Sequence, residues 1–404
     1  MNARATLIRS FGGLIFARIL AAAAQAMLLF MFARQVTPDR FALTMALVGI
    51  LTFISALSDL GMTPATTRSV AAGESFLHFS RLNSIVAVAS ILVSGGLICV
   101  AFIASDSDYV WLGMLPFAAW LAFERIAEFR FAVDLGEGRT RNAVSNLVVR
   151  RCGPTLFVAL GFLAPVDPIL LLAGGYALSA ALSIVASPRR MYSSSSALAS
   201  SRSAMSGLRA SLPFWLNSVA AQSRQLDVAL LGLVSVPSVA AVYAPAARLI
   251  APLRLIPSTL AQAALPIITG RRSGSSPLRL TLISTSLSAV LYVGVALMAA
   301  PLMRWLFGEE YADSATALQI LLCGLLFASS ASVLTSYLQG TRHEWLVAWI
   351  SLLSGGLSLI FLGCGALLGG AVGASVGLSI GYFVQFVGVT LSVWKLRAAR
   401  RGSQ

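Results

Sequence analysis

The chain has 404 residues, of which 57% are hydrophobic and 11% charged, with a mean hydropathy of +0.84. A water-facing surface is built with about 25% charged residues, so this composition excludes a string of soluble domains and requires a chain that crosses the membrane many times. The 29 Lys and Arg exceed the 15 Asp and Glu, for a net charge of +14, and Lys395 is the only lysine.

A crossing helix needs ~20 mostly apolar residues. In chain order, runs of that kind fall at 11–33, 41–60, 82–104, 109–130, 143–163, 168–187, 210–233, 239–260, 279–300, 315–338, 345–367 and 371–394. They predict an all-α polytopic membrane protein of about twelve transmembrane helices. The first run keeps Arg18 inside it and shows no small-residue cleavage site, so it reads as a retained helix. The stretch 188–209 is Ser-rich (Ser193–Ser196, Ser200, Ser201, Ser203) and sits at the midpoint. It reads as a flexible cytoplasmic linker between an N-terminal six-helix lobe, 1–187, and a C-terminal six-helix lobe, 210–404, that ends in a short basic tail. Shifting the chain by 199 residues lays Arg18 on Asn217, Gln25 on Arg224 and Pro38 on Pro237. Helices in matching order and orientation make the two lobes a parallel pseudo-twofold repeat about the membrane normal.

Orientation follows from the basic loop residues. With both termini on one side, that side collects nineteen of them, among them Arg68, Arg81, Arg139, Arg189, Arg190, Arg271, Arg272, Arg342 and Lys395, against Arg34, Arg40 and Arg304 opposite. The opposite side is acidic, with Asp106, Asp108, Asp167, Glu309, Glu310 and Asp313. Both termini are therefore expected in the cytoplasm. The positive charge is a topology signal and does not call for nucleic acid.

Several chemistries drop out. A P-loop needs a lysine after its second glycine, and Lys395 lies in the tail. His78 and His343 are isolated, and Cys99, Cys152, Cys323 and Cys364 lie far apart in apolar runs, so neither a metal site nor a disulfide framework is expected and the cysteines read as packing residues. No loop is long enough to fold into a catalytic domain, so no catalytic residues are assigned. Transport remains.

The informative residues are charges inside the spans. An arginine at a helix centre costs about 2.5–3.5 kcal/mol on insertion scales, so several of them require a wet cavity or a partner. Arg18 and Gln25 lie seven residues apart on one face of the first helix, and Asn217 and Arg224 repeat that spacing in the seventh. Arg248 and Arg254 lie on a helix expected to be broken by Pro245, Pro252 and Pro257. Arg18, Gln25, Asn217, Arg224, Arg248 and Arg254 are thus candidates for a cationic cavity, because guanidinium groups bind phosphate oxygens bidentately. The competing reading pairs Arg224 with Asp227 as a structural ion pair. Asp227, Glu124 and Glu128 are candidates for ion coupling. Against this, Glu124, Arg125 and Glu128 sit near the cytoplasmic end of their span, which favours an interfacial charge cluster. Arg150 and Arg151 then read as marking membrane entry, and Asp59 as a cap for the next segment. Glycines at 365, 369, 373, 377 and 381 recur every four residues, a packing pattern that allows close helix approach.

With these residues in view, the chain resembles the polysaccharide flippases (the Wzx type) of the multidrug/oligosaccharidyl-lipid/polysaccharide exporter superfamily. The likeness rests on Leu306-Phe307-Gly308-Glu309-Glu310-Tyr311-Ala312-Asp313-Ser314-Ala315, on Pro38-Asp39-Arg40-Phe41-Ala42, on Asp59-Leu60-Gly61 and on Gly340-Thr341-Arg342. Ala42 stands where the family usually has glycine. The resemblance implies two six-helix lobes about a central cavity, alternating access, and an undecaprenyl-pyrophosphate-linked oligosaccharide moved to the outer leaflet of a bacterial inner membrane for surface polysaccharide biosynthesis. It implies no cofactor, coupling to an H+ or Na+ gradient or the membrane potential, and a polysaccharide polymerase or synthesis complex as partner. The alternative is an ion-coupled multidrug antiporter of the same superfamily. A major-facilitator carrier would show Gly-x3-Asp-Arg-x-Gly-Arg-Arg where this chain has Gly61-Met62-Thr63-Pro64-Ala65-Thr66-Thr67-Arg68.

Overall fold

The computed structural model describes residues 3–71, 73, 77–104, 109–163, 165–186, 201–269, 277–341 and 343–402. The loop residues Asp106, Asp108, Arg189, Arg190, Arg271, Arg272 and Arg342, and the serines 193–200, lie outside them. Every regular element among the described residues is helical. In order these are α1 (Ala3–Ala33), α2 (Pro38–Ser58), α3 (Met62–Ala71), α4 (Leu77–Ala104), α5 (Val110–Gly113), α6 (Pro116–Gly136), α7 (Thr140–Leu160) and α8 (Pro168–Ala186). There follow α9 (Ser201–Ser223), a 3-10 turn (Arg224–Leu226), α10 (Asp227–Val234), α11 (Pro237–Thr269), α12 (Pro277–Leu297), α13 (Ala299–Phe307), a second 3-10 turn (Glu309–Tyr311), α14 (Ser314–Gly340) and α15 (Glu344–Gly402). Among the described residues, seven helices are long and apolar enough to cross a membrane, or eight if the pair Ser284–Leu297 and Ala299–Phe307, bent by 70°, counts as one broken span.

The chain divides into two compact units: Met1–Val36 with Ile54–Trp215, and Thr37–Phe53 with Leu216–Gln404. In the first unit, α6 packs against α3, α4, α7 and α8, and α1 lies along α7. Met62, Ala65, Phe79, Phe129 and Val133 close an apolar core at one end of α6. Leu60 and Gly61 take left-handed backbone (φ 48° and 77°), turning the chain between α2 and α3. The indole of Trp215 donates to the Ala56 carbonyl at 3.0 Å, fastening the last residue of this unit to the end of α2.

In the second unit, α14 packs against α11, α12, α13 and α15. Gly308, at φ 111°, ends α13 and permits the turn into Glu309–Tyr311. Here the two motifs that carry most of the sequence resemblance meet. The Phe41 ring lies 6.3 Å from Phe307 and 6.0 Å from Tyr311, and Phe307 lies 5.9 Å from Tyr311. Burial, with Glu310 and Asp39 close by, raises the Tyr311 hydroxyl above its ordinary range and keeps it protonated. This aromatic triad is one reason why Thr37–Phe53 packs with residues far away in sequence.

α11 runs unbroken past Pro245, Pro252 and Pro257, so the expected proline break does not form there. The break falls instead at Arg224–Leu226, between α9 and α10. The glycine period has a clear structural role. α15 is interrupted at Gly369 (φ −145°, ψ 23°) and Gly370 (φ 58°, ψ −140°), and the segments either side fold onto each other. A Cβ on Gly365 would overlap the Gly373 carbonyl, one on Gly377 the Phe361 carbonyl, and one on Gly381 the Ser358 side chain. The four cysteines are unpaired, and Cys99, Cys323 and Cys364 are exposed, so those three are not core-packing residues as expected. Gly377→Ala is expected to lower the melting temperature of the detergent-solubilised protein by several degrees. Gly369→Ala, where nothing lies within 4 Å of the added methyl, leaves it nearly unchanged.

Candidate functional site

The second unit gathers three of the four arginines singled out from the sequence. Arg224 lies in the 3-10 turn and is buried. Its Nη2 donates to Gln385 Oε1 at 2.9 Å and Ser354 Oγ at 3.3 Å, and its Nε to Ser358 Oγ at 3.4 Å. Its guanidinium stacks 4.9 Å from the centre of the Tyr382 ring, and that of Arg254 lies 5.8 Å from the same centre. Both distances are within the range of cation–π attraction. No carboxylate lies within 4.0 Å of Arg224 or Arg254 among the described residues; the ion pairs there involve other arginines. Two guanidiniums thus share one ring with neutral hydrogen-bond acceptors and no countercharge. Asn217, about two turns earlier on α9, accepts from Ser351 Oγ at 2.7 Å, extending the polar stripe along α15.

Arg248 differs. Its Nη2 lies 3.4 Å from Asp227 Oδ1 and donates to the Met45 carbonyl at 3.0 Å and the Gln225 carbonyl at 3.3 Å. Its Nη1 donates to Gln225 Oε1. Asp227 also accepts from the Tyr243 hydroxyl at 3.2 Å. The ion pair expected between Arg224 and Asp227 is therefore replaced by Arg248–Asp227. The 3-10 turn is the reason: it directs Arg224 toward α15 and leaves Asp227, the first residue of α10, facing α11. Arg248 also secures α2, whose Gly49 approaches the Gln225 carbonyl so closely that any Cβ would overlap it.

In the first unit, Arg18 and Gln25 are half-buried on α1, and the Thr155 hydroxyl ties α1 to α7 by donating to the Ala24 carbonyl at 3.0 Å. A separate network joins the other candidates. Arg125 is 1% exposed and pairs with Asp59 at 3.0 Å and with Glu128 at 3.9 Å. Arg150, 4% exposed, pairs with Glu124 at 3.1 Å and with Glu128 at 3.5 Å. Arg151 reaches Glu124 at 3.0 Å, and Asn83 accepts from Arg125 at 3.2 Å. The charges of the expected interfacial cluster thus pair with one another. Arg150 and Arg151 are its partners from α7, and the Asp59 carboxylate pairs with Arg125 and accepts from Thr63 at 2.6 Å in place of a helix cap. His78 is exposed and His343 half-buried. No group of three or more His, Cys, Asp or Glu side chains suited to a metal ion occurs among the described residues.

Sequence reasoning missed Tyr382, Gln385, Ser354 and Ser358, because neutral groups give no signal in a search for charges. The readable trace was Ser351, Ser354 and Ser358 recurring at intervals of three and four in an otherwise apolar helix, which puts three hydroxyls on one face.

No family profile and no curated protein sequence matches the chain. Solved structures do. An inward-facing multidrug-resistance MATE transporter of the MOP superfamily aligns with a TM-score of 0.76 at 15% identity, covering 95% of this chain and 96% of that one. The lipid II flippase MurJ, in an inward closed conformation, aligns with a TM-score of 0.71 at 13% identity, over 96% of this chain and 87% of that one. A eukaryotic MATE transporter aligns at 0.66 and 16% identity, over 98% and 97%. The chain therefore has the fold of these membrane transporters, which are not enzymes.

Replacing Arg248 by Met strands Asp227 in a buried site, and breaking such a pair costs about 3–5 kcal/mol. Unfolding of the detergent-solubilised protein is expected to show that loss, and adding Asp227→Asn to the same chain recovers part of it.

Proposed function

We propose that this chain is a flippase that carries an anionic lipid-linked oligosaccharide across the bacterial cytoplasmic membrane by alternating access. In this reading twelve crossings form two six-helix lobes of a Wzx-type protein, with both termini in the cytoplasm. The carrier is an undecaprenyl-pyrophosphate-linked glycan destined for surface polysaccharide, and a polysaccharide polymerase or synthesis complex receives it. No cofactor takes part.

One observation carries the reading: the guanidiniums of Arg224 and Arg254 share the Tyr382 ring, with no carboxylate within 4.0 Å of either among the described residues. Charge placed in an apolar span without a countercharge is costly, and a mobile anion would supply the missing partner. A pyrophosphate suits the arrangement, since guanidinium groups match phosphate oxygens bidentately. The fold adds support of a broader kind, because its solved relatives include both a lipid II flippase and multidrug transporters. Fold alone does not choose between them. A cationic drug would meet repulsion at Arg224 and Arg254, which favours the lipid-linked anion over the antiporter.

The test is ligand-induced thermal stabilisation of the purified full chain, with undecaprenyl pyrophosphate, undecaprenol and a lipophilic cationic dye as probes. Stabilisation is expected from the pyrophosphate alone. Arg224→Glu and Arg254→Glu should each weaken apparent affinity by roughly tenfold to a hundredfold, the range for loss of a charge-assisted contact, and should stop polysaccharide export in cells while leaving expression intact. Stabilisation by the dye but not by the pyrophosphate would establish the antiporter instead.

A further inference from the structure

The network in the first unit is electroneutral as a set but uneven in its bonds. Three carboxylates (Asp59, Glu124, Glu128) face three guanidiniums (Arg125, Arg150, Arg151). Asp59 and Glu124 each hold an arginine at 3.0 Å, whereas Glu128 has partners only at 3.5 and 3.9 Å. It is also 31% exposed, against 5% for Glu124. Glu128 is therefore the most exposed of the three carboxylates and the one with the longest ion-pair distances.

The second observation concerns Glu124. Its Oε1 accepts from Arg151 Nη2 at 3.0 Å and lies 3.1 Å from Arg150 Nη1, while among the described residues Glu124 Oε2 and both Nε and Nη1 of Arg150, all buried, make no hydrogen bond. Glu124 thus keeps a carboxylate oxygen that a turned Arg150 can use. Arg150 Nη1 already lies between the two carboxylates, 3.1 Å from Glu124 and 3.5 Å from Glu128.

We infer that Glu128 is a proton-binding carboxylate, and that Arg150 transfers from Glu128 to both oxygens of Glu124 when the proton arrives. The proton comes from water and forms an O–H bond on Glu128, and the network passes from neutral to one net positive charge. Arg125, freed of its weaker contact, stays with Asp59 and Asn83. The groups facing Glu128 are Glu124 and Arg125 from α6 and Arg150 and Arg151 from α7. Asp59, at the end of α2, acts through Arg125. Asn83 from α4 and Tyr176 of α8, which packs on Trp120 one turn from Glu124, complete the surround. Because Arg150 sits on α7 and both glutamates on α6, exchange of its partner is a two-state change in how α6 and α7 meet. The site is distinct from Arg224 and Arg254 and does not depend on which anion is carried.

The test is infrared difference spectroscopy of the full-length protein in liposomes as pH is lowered, with the carbonyl stretch of a protonated carboxyl group as readout. A titrating band is expected in the wild type and in Glu310→Gln, an exposed control. It should vanish in Glu128→Gln and shift in frequency in Glu128→Asp. In Glu124→Gln both Arg150 and Arg151 turn toward Glu128 and favour its ionised form, so the midpoint should fall by about one pH unit or more, a tenfold loss of proton affinity. Absence of a titrating band in the wild type, or its survival in Glu128→Gln, overturns the proton site. A midpoint that rises or stays fixed in Glu124→Gln overturns the exchange by Arg150. Should Glu128→Gln not yield a monodisperse protein, the frequency shift in Glu128→Asp decides. None of these readouts involves a lipid-linked substrate, so their failure is separable from failure of the proposed transport.

Discussion

A guanidinium carried into an apolar span must find a partner, and the arrangement of helices reflects how six such groups are answered. Arg125, Arg150 and Arg151 receive carboxylates from α6 and from the end of α2, which locks α6 against α7 and against the turn after α2. Arg248 receives Asp227 together with the carbonyls of Met45 and Gln225, so one side chain secures α2, α10 and α11. Among the described residues, Arg224 receives hydroxyls, an amide oxygen and a ring, and Arg254 shares that ring. The energetic contrast is plain: paired arginines are spent on architecture, and the pair around Tyr382 keeps its charge available.

Much of the architecture was legible because apolar length and small-residue periodicity are local properties. The all-helical nature followed from composition, and the close approach within α15 followed from glycines every four residues, whose contacts are with the Gly373 and Phe361 carbonyls. The motifs at Pro38–Ala42 and Leu306–Ala315 were also legible, although nothing local indicated that Phe41 and Tyr311 would touch. What sequence could not supply was partner choice. Arg224 and Asp227 are three residues apart and would pair on a regular helix, but the 3-10 turn at Arg224–Leu226 rotates them onto different neighbours. Nor does a single span show that Arg150 meets Glu124 of the neighbouring helix.

The solved relatives span a lipid II flippase and multidrug transporters at 13–16% identity. Across such distances the backbone persists while most residues differ, which is the expected behaviour when folds serve as frames for grafted sites. In this chain the frame is occupied by arginine in one unit and by a balanced acid–base network in the other. The two regions have opposite demands. One stays charged against its surroundings, and the other is neutral as a set and responds to a single added charge.

The assignment of Thr37–Phe53 to the second unit, and of α9 up to Trp215 to the first, bears on the order of synthesis. Neither unit is encoded by one continuous stretch. As the chain is made, the first unit lacks Trp215 and its anchor to Ala56 until after the midpoint has been translated. Residues 37–53 meanwhile wait for Phe307, Tyr311 and Arg248. The halves therefore cannot mature one after the other, and a chain cut at the midpoint would leave each fragment holding a piece that the other needs.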